Sequence, residues 1–348
     1  RAALAVECAQ AALDVQRGLD GDSLALYLGI PFCPTRCAYC SFVSRSIGKR
    51  TELLDPYLSA LYREMEHTGK LLKASSKTVR TVYIGGGTPT TLSDSQMAQL
   101  LQKVHETFDL RRCLEFTVEG GRPDTLNAEK LKTIREHGAD RMSINPQTME
   151  DHVLRACGRP HTAQDVLRAY DEAMSAGFKA VNMDLIAGLP TDDFDGFRHS
   201  LDTVAALNPA NITVHTLALK KGSRILLEGL SIPGPEAVAE MLDYAEPVLR
   251  KSGYEPYYLY RQKYMSGSFE NIGWCKSGAE CWYNIYIMSE LCSILSFGAG
   301  GSTKMVDAKR NHIERVFHAK FPTEYIQRPE KLQENLDSFR AFHEAMLK

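Results

Sequence analysis

The sequence has 348 residues, 44% hydrophobic and 24% charged, which suits one large globular domain or a domain with an appendage and excludes disordered and fibrous classes. Its 41 Lys and Arg offset 43 Asp and Glu to a formal charge of −2, so no global basic field exists to attract nucleic acid or an anionic membrane surface. No apolar run reaches the roughly 18 residues of a membrane-spanning helix, so no membrane span is expected.

Taken in chain order, residues 1–17 read as an amphipathic helix: Glu7 and Asp14 interrupt the apolar run and no small-residue cleavage pattern follows. That pattern excludes a signal peptide and sets the expectation of a cytoplasmic protein. Arg1 in place of an initiator Met points to a missing upstream segment. Six short β-rich runs follow, at 24–30, 81–87, 113–120, 139–145, 180–190 and 211–219, separated by amphipathic stretches at 55–72, 93–108, 127–138, 162–178 and 193–207. Ser93, Asn127 and Thr162 stand where helix N-caps belong, and Gly138 and Gly177 stand near helix ends. Strand–helix alternation with continuously apolar strands predicts parallel pairing through helical crossovers.

Six units fall short of a closed eightfold barrel, so the expected fold is α/β, an open six-unit (β/α)6 partial barrel over residues 23–222, with a doubly wound sheet as the competing architecture. Residues 1–22 form the N-terminal helical segment. Residues 223–348 are expected to form a C-terminal α+β extension on the substrate side, because "IPGPEA" punctuates the chain and the aromatic-basic "YEPYYLYRQKYM" follows a further helix near 234–252. In either architecture the ligand end lies at the C-terminal ends of the strands.

The sharpest local signal is "CPTRCAYC", which places Cys33, Cys37 and Cys40 directly after the first strand. The chain has nine cysteines, an odd set in a long sequence without a secretion signal, so a disulfide framework is not expected. Structural zinc would need four ligands, normally as two pairs, and no second pair is present. A thioredoxin-like pair would use Cys37 and Cys40 and leave Cys33 idle. A [4Fe–4S] cubane takes one thiolate per iron, so three cysteines leave one iron open. The natural occupant of that iron is S-adenosylmethionine, chelating through its amino and carboxylate groups, so the expected cofactors are a [4Fe–4S] cluster and S-adenosylmethionine.

With "GIPFCPTRCAYCSF", "YIGGGTPT", "MSINPQTM", "GRPHT" and "NMDLIAGLP" in order, the chain resembles the radical S-adenosylmethionine superfamily. Within it, the chain is similar to the oxygen-independent coproporphyrinogen III oxidase family. The closest likeness is to the coproporphyrinogen dehydrogenase subgroup, through Gly29 where relatives carry His, and through "YLYRQK", "ENIGW" and "GAGGSTK". The resemblance implies that Cys33, Cys37 and Cys40 hold the cluster and that Tyr27 touches the cofactor. It implies that Gly86, Gly87 and Thr88 let backbone carbonyls approach the methionine amine, that Glu119, Gln147, Arg159 and Asp184 bind the amine, ribose and carboxylate, and that Ala218 borders the adenine. His161 and His215 are left outside the site, since a lone His is more often structural.

A flat apolar ligand bearing several carboxylates suits the aromatic-basic stretch and the cations Lys220, Lys221, Arg224, Arg261 and Lys263, and Arg224 and Arg261 are the residues expected to hold propionates. The implied partners are a tetrapyrrole and an electron donor such as a flavodoxin or ferredoxin. The implied reaction is anaerobic oxidative decarboxylation of coproporphyrinogen III propionates to vinyl groups. Decarboxylases of the family carry a further cysteine two residues after the third, where this chain has Phe42. That departure matches relatives that carry haem, so a haem-binding carrier or chaperone stays open, as does a radical enzyme that modifies or opens the haem ring.

Overall fold

The computed structural model describes residues 2–40, 45–46, 51–219, 222–307 and 309–345. After helix α1 (Ala2–Gln16), the six expected strands are β1 (Ser23–Ile30), β4 (Thr78–Gly86), β5 (Glu115–Glu119), β6 (Arg141–Ser143), β7 (Ala180–Ala187) and β8 (Asn211–Thr216). Two-residue strands β2 (Phe32–Cys33) and β3 (Arg45–Ser46) pair in parallel at either end of the cysteine segment. The crossovers are α2 (Leu54–Lys73), α3 (Asp94–Thr107), α4 (Ala128–Glu136), α5 (Asp151–Ala156), α6 (Ala163–Ser175) and α7 (Phe194–Leu207).

The caps foreseen from sequence are made. Ser93 Oγ accepts the Gln96 backbone N–H at 3.2 Å, Asn127 Oδ1 accepts that of Lys130 at 2.7 Å, and Thr162 Oγ1 accepts that of Asp165 at 3.3 Å. Each satisfies one of the donors that a helix start leaves unpaired.

The six strands lie side by side in chain order, β1-β4-β5-β6-β7-β8, all parallel. A doubly wound sheet reverses its strand order at a switch point; this one does not, which is the barrel arrangement. After α8 (Arg224–Glu228) and α9 (Pro235–Lys251), the C-terminal residues extend the same sheet at both margins. Strand β10 (Asn271–Cys275) pairs antiparallel with β8, and β9 (Glu255–Tyr260) with β10. Past helix α10 (Trp282–Met288), strand β11 (Ser293–Phe297) pairs in parallel with β1, followed by antiparallel β12 (Ser302–Val306) and β13 (Ile313–Phe317). Helices α11 (Pro322–Gln327) and α12 (Glu330–Ala345) complete the chain.

The sheet curls around α10, which touches both β4 and β9 although several strands separate them. A buried polar knot fixes this plug at the N-terminal end of the strands. Arg141 pairs with Glu115, Nε to Oε2 at 3.1 Å, donates to Asn182 Oδ1 at 2.8 Å and to Asn211 Oδ1, and reaches the carbonyls of Ala279 and Glu280 at 3.0 Å each. Glu115 in turn accepts the backbone N–H groups of Trp282 and Tyr283 at 2.9 and 3.1 Å. A buried charge pair is tolerable when its remaining donors and acceptors are satisfied. With that end closed, the open end is where β1, β4, β5 and β7 finish. On the outer face, the leucines, isoleucines and valines of the strands pack against the crossover helices as one core.

Candidate functional site

At the C-terminal ends of the strands, Cys33, Cys37 and Cys40 line a cleft with about 580 Å³ of space between its walls. Cys33 closes β2, and a backbone bond from Cys40 N to Cys37 O, 3.1 Å, turns the chain so that both thiols face the cleft. Among the described residues, no three His, Cys, Asp or Glu side chains converge closely enough to hold a single metal ion.

The glycine run at the end of β4 sits directly against the cysteine segment. Gly87 N bonds to Ile30 O at 2.9 Å and Thr88 N to Phe32 O at 2.8 Å. A Cβ on Gly87 would lie 2.6 Å from Phe32 O, and Gly86 adopts a φ of +116°, a region that only glycine enters cheaply. Thr88 then offers its hydroxyl to Cys33 Sγ at 3.4 Å. Gly86, Gly87 and Thr88 therefore share the cleft with the three thiols because their backbone can approach β2 closely.

Glu119, at the end of β5, forms part of the opposite wall, where Asn145 Nδ2 reaches its Oε1 at 3.5 Å. Burial pushes its carboxyl up to about 8, with the nearby Asp184 charge adding to this and the Gly86 backbone opposing it. Gln147 has a φ of +70°, held by bonds from its N–H to Asp184 O, 2.8 Å, and from Ile186 N–H to its carbonyl, 2.9 Å. Its buried Oε1 has no hydrogen-bond partner and lies at the cleft. A strained backbone carrying an unsatisfied acceptor at a cavity wall is what a site prepared for a polar ligand looks like.

Arg159 is buried and spends its donors within the chain. Nη1 reaches the Tyr39 hydroxyl at 3.0 Å and Cys37 Sγ at 3.8 Å, and Nη2 reaches the carbonyls of Gly121 and Asn145 at 2.9 and 2.7 Å. It fastens the cysteine segment to the loops after β5 and β6. Arg122, which the sequence did not single out, does the same from another side: Nη1 donates to Thr35 Oγ1 at 2.7 Å, while Nε and Nη2 grip Asp124 at 3.0 and 2.9 Å. His161 stands 3.4 Å from the same Asp124 and is buried.

Beyond Glu119 the barrel interior is aromatic. Tyr27 stacks at 6.1 Å on Tyr83 and on Tyr283, and the last two stack at 4.6 Å on each other, which packs Tyr27 against β4 and α10 in the barrel interior. Asp184 stands on β7, with His215 Nε2 3.5 Å from its Oδ2. Ala218 forms a bridge with Met265 just past β8.

Arg224 and Arg261 are each already paired. Arg224 makes two bonds to Glu228, at 2.7 and 2.9 Å, and Arg261 binds Glu270 at 3.0 Å while remaining 64% exposed. A substrate carboxylate must displace or share those partners. Phe42, Lys220 and Lys221 lie outside the described residues. Sequence reasoning missed Arg122 and Asn145 because nothing in a single sequence marks a polar loop residue as buried.

Residues 27–204 match the model of the radical SAM superfamily. The chain is 39% identical over 310 residues to the oxygen-independent coproporphyrinogen-III oxidase-like protein HemZ of Bacillus subtilis, a match covering 88% of this chain and 62% of that protein. It is 31% identical over 325 residues to the haem chaperone HemW of the same organism, covering 89% of this chain and 81% of the relative. In fold it is similar to the solved structure of coproporphyrinogen III oxidase (HemN) from Escherichia coli, with a TM-score of 0.74 at 23% identity, over 92% of this chain and 72% of that one.

Proposed function

The chain belongs to the radical SAM superfamily, in the branch of oxygen-independent coproporphyrinogen III oxidase-like proteins, and from that membership we propose that it is a cytoplasmic radical enzyme of tetrapyrrole metabolism that oxidatively decarboxylates coproporphyrinogen III propionates to vinyl groups. Membership carries the cofactors, a [4Fe–4S] cluster and S-adenosylmethionine. Together these supply reductive cleavage of the sulfonium and a hydrogen-abstracting radical, and a donor such as a flavodoxin or ferredoxin supplies the electron. The residues present fit the pair. Cys33, Cys37 and Cys40 would hold the cluster, Gly86, Gly87 and Thr88 leave room for the methionine end, and the unpartnered Gln147 Oε1 supplies an acceptor. Glu119 and Asp184 are proposed to hold the amine and ribose, and Arg159, whose terminal nitrogens already bind Tyr39, Gly121 and Asn145, to share a donor with the carboxylate, with Tyr27 and Ala218 beside them.

The observation that carries this reading is the cleft itself, where the three thiols share one lining with Gly86, Gly87, Thr88, Glu119 and the unpartnered Gln147 Oε1. The packed rings of Tyr27, Tyr83 and Tyr283 fill the barrel interior against α10 and exclude water from that side. Arg224 and Arg261 are proposed to meet propionates at the rim. The test is anaerobic incubation of reconstituted protein with reductant, S-adenosylmethionine and coproporphyrinogen III. The reading requires loss of two carboxyl groups with 5′-deoxyadenosine formed alongside.

The second reading, a haem carrier, is favoured by the similarity to HemW over 81% of that relative and by Phe42 in place of a fourth cysteine. The same incubation decides between them. Stoichiometric haem binding, transfer to an acceptor and no vinyl product at any donor concentration would establish the carrier.

A further inference from the structure

Strand β7 is buried along its length except at Asp184, and β8 is buried except at His215. These two exceptions face each other. His215 Nε2 lies 3.5 Å from Asp184 Oδ2, its Nδ1 lies 3.4 Å from the Tyr260 hydroxyl, and Gln262 Nε2 lies 3.4 Å from that same hydroxyl. A carboxylate only accepts, so the tautomer that suits this contact carries its proton on Nε2 and leaves Nδ1 to accept from Tyr260. The phenol oxygen then accepts from the Gln262 amide. The Gln262–Tyr260 and Tyr260–His215 hydrogen bonds point the same way, and the His215–Asp184 contact at 3.5 Å continues them toward Asp184.

The two ends of the series have different duties in the proposed function, on which this inference rests. Asp184 is proposed to accept ribose hydroxyls of the cofactor. The segment after β9 carries Arg261 and Tyr264, 64% and 65% exposed, where the tetrapyrrole is proposed to enter. We propose that Tyr260 and His215 are positioning residues that orient the Asp184 carboxylate for the cofactor and couple it to occupancy of the 261–264 segment. Linkage makes the coupling reciprocal: a tetrapyrrole that fixes Tyr260 tightens S-adenosylmethionine, and S-adenosylmethionine tightens the tetrapyrrole by the same factor.

The experiment is equilibrium dialysis of S-adenosylmethionine against cluster-reconstituted protein, in the wild type and in Asp184→Ala, His215→Leu, His215→Gln and Tyr260→Phe. Losing one hydrogen bond to a charged group weakens binding by about tenfold or more. His215→Leu and Tyr260→Phe should each show that loss. His215→Gln, whose amide can still donate to Asp184, should recover most of it, which separates the hydrogen bond from packing. A 2′-deoxyribose analogue of the cofactor should bind the wild type less tightly than the parent, and this discrimination should shrink in His215→Leu. Weakened binding in Asp184→Ala with unchanged binding in His215→Leu and Tyr260→Phe would overturn the relay alone. Unchanged binding in Asp184→Ala would overturn the cofactor reading and the relay with it.

Discussion

The Arg159 guanidinium donates to the Tyr39 hydroxyl at 3.0 Å, and from the same buried position its other terminal nitrogen closes on the carbonyls of Gly121 and Asn145. One planar cation thus joins the cysteine segment to two barrel loops. Replacement by Ala leaves those acceptors without a donor, a cost of about 1–3 kcal/mol for a buried group. Denaturant unfolding of Arg159→Ala should show that loss. Arg159→Lys should not restore it, because an ammonium cannot span the phenol and both carbonyls in one plane.

Gly87 predicts a different failure. Its missing Cβ leaves the gap that Phe32 backbone atoms fill at 2.6 to 2.9 Å, so Gly87→Ala must push β2, and Cys33 with it, away from β4. No side-chain rotation relieves a clash with backbone. Reconstituted Gly87→Ala should keep a near-wild-type circular dichroism spectrum yet fall well below the about four irons per chain expected of the wild type. Cys37→Ala should lose the cluster as well. Wild-type iron content in Gly87→Ala would show that the close approach is dispensable.

Glu119 ties cofactor binding to pH. Its folded carboxyl is raised to about 8 from an ordinary 4.5, chiefly by burial. In the ligand-free protein the raised value favours the protonated form, so this stability contribution is complete below pH 4.5 and is lost as pH rises through about 8. A cationic amine placed beside Glu119 reverses the preference. At pH 7, S-adenosylmethionine binding should release about one proton, read by calorimetry in buffers of different ionisation enthalpy. Glu119→Gln should bind without that release.

The buried His318–Glu64 pair gives the fold its own pH dependence. Glu64, on α2, takes His318 Nε2 at 2.5 Å, the Gly298 backbone N–H at 2.9 Å and the Tyr325 hydroxyl, locking the glycine loop after β11 to the C-terminal helices. Burial, the largest single cause, lowers the His318 value, but the Glu64 charge together with the hydrogen bonds to Glu64 and Gly301 outweighs it, and the net direction is up from 6.5. A histidine raised on folding contributes fully below its unfolded value and loses that contribution as pH rises through the folded one. Wild-type unfolding midpoints should therefore fall as pH rises above 6.5 and through the raised folded value, and Glu64→Gln should flatten this slope.

What the sequence determined by itself was local. Apolar runs of strand length, the caps at Ser93, Asn127 and Thr162, and the Cys33–Cys37–Cys40 spacing are set by neighbouring residues, so six strands, their crossovers and a cysteine segment at the strand ends could be read directly. Only the tertiary structure decided which distant segments complete the sheet. The pairing of β11 with β1 brings Leu24 beside Ser293, and that of β10 with β8 brings Ile272 beside Val214. A short apolar strand carries no label for its partner, because backbone hydrogen bonds are the same whichever strand supplies them. The same holds for polar side chains in the candidate site. Arg122 carries no mark in sequence and His215 reads there as a lone structural histidine, and their neighbours Asp124, Thr35, Asp184 and Tyr260 are set by folding, since burial and hydrogen-bond partners belong to the packed chain and not to any window of it.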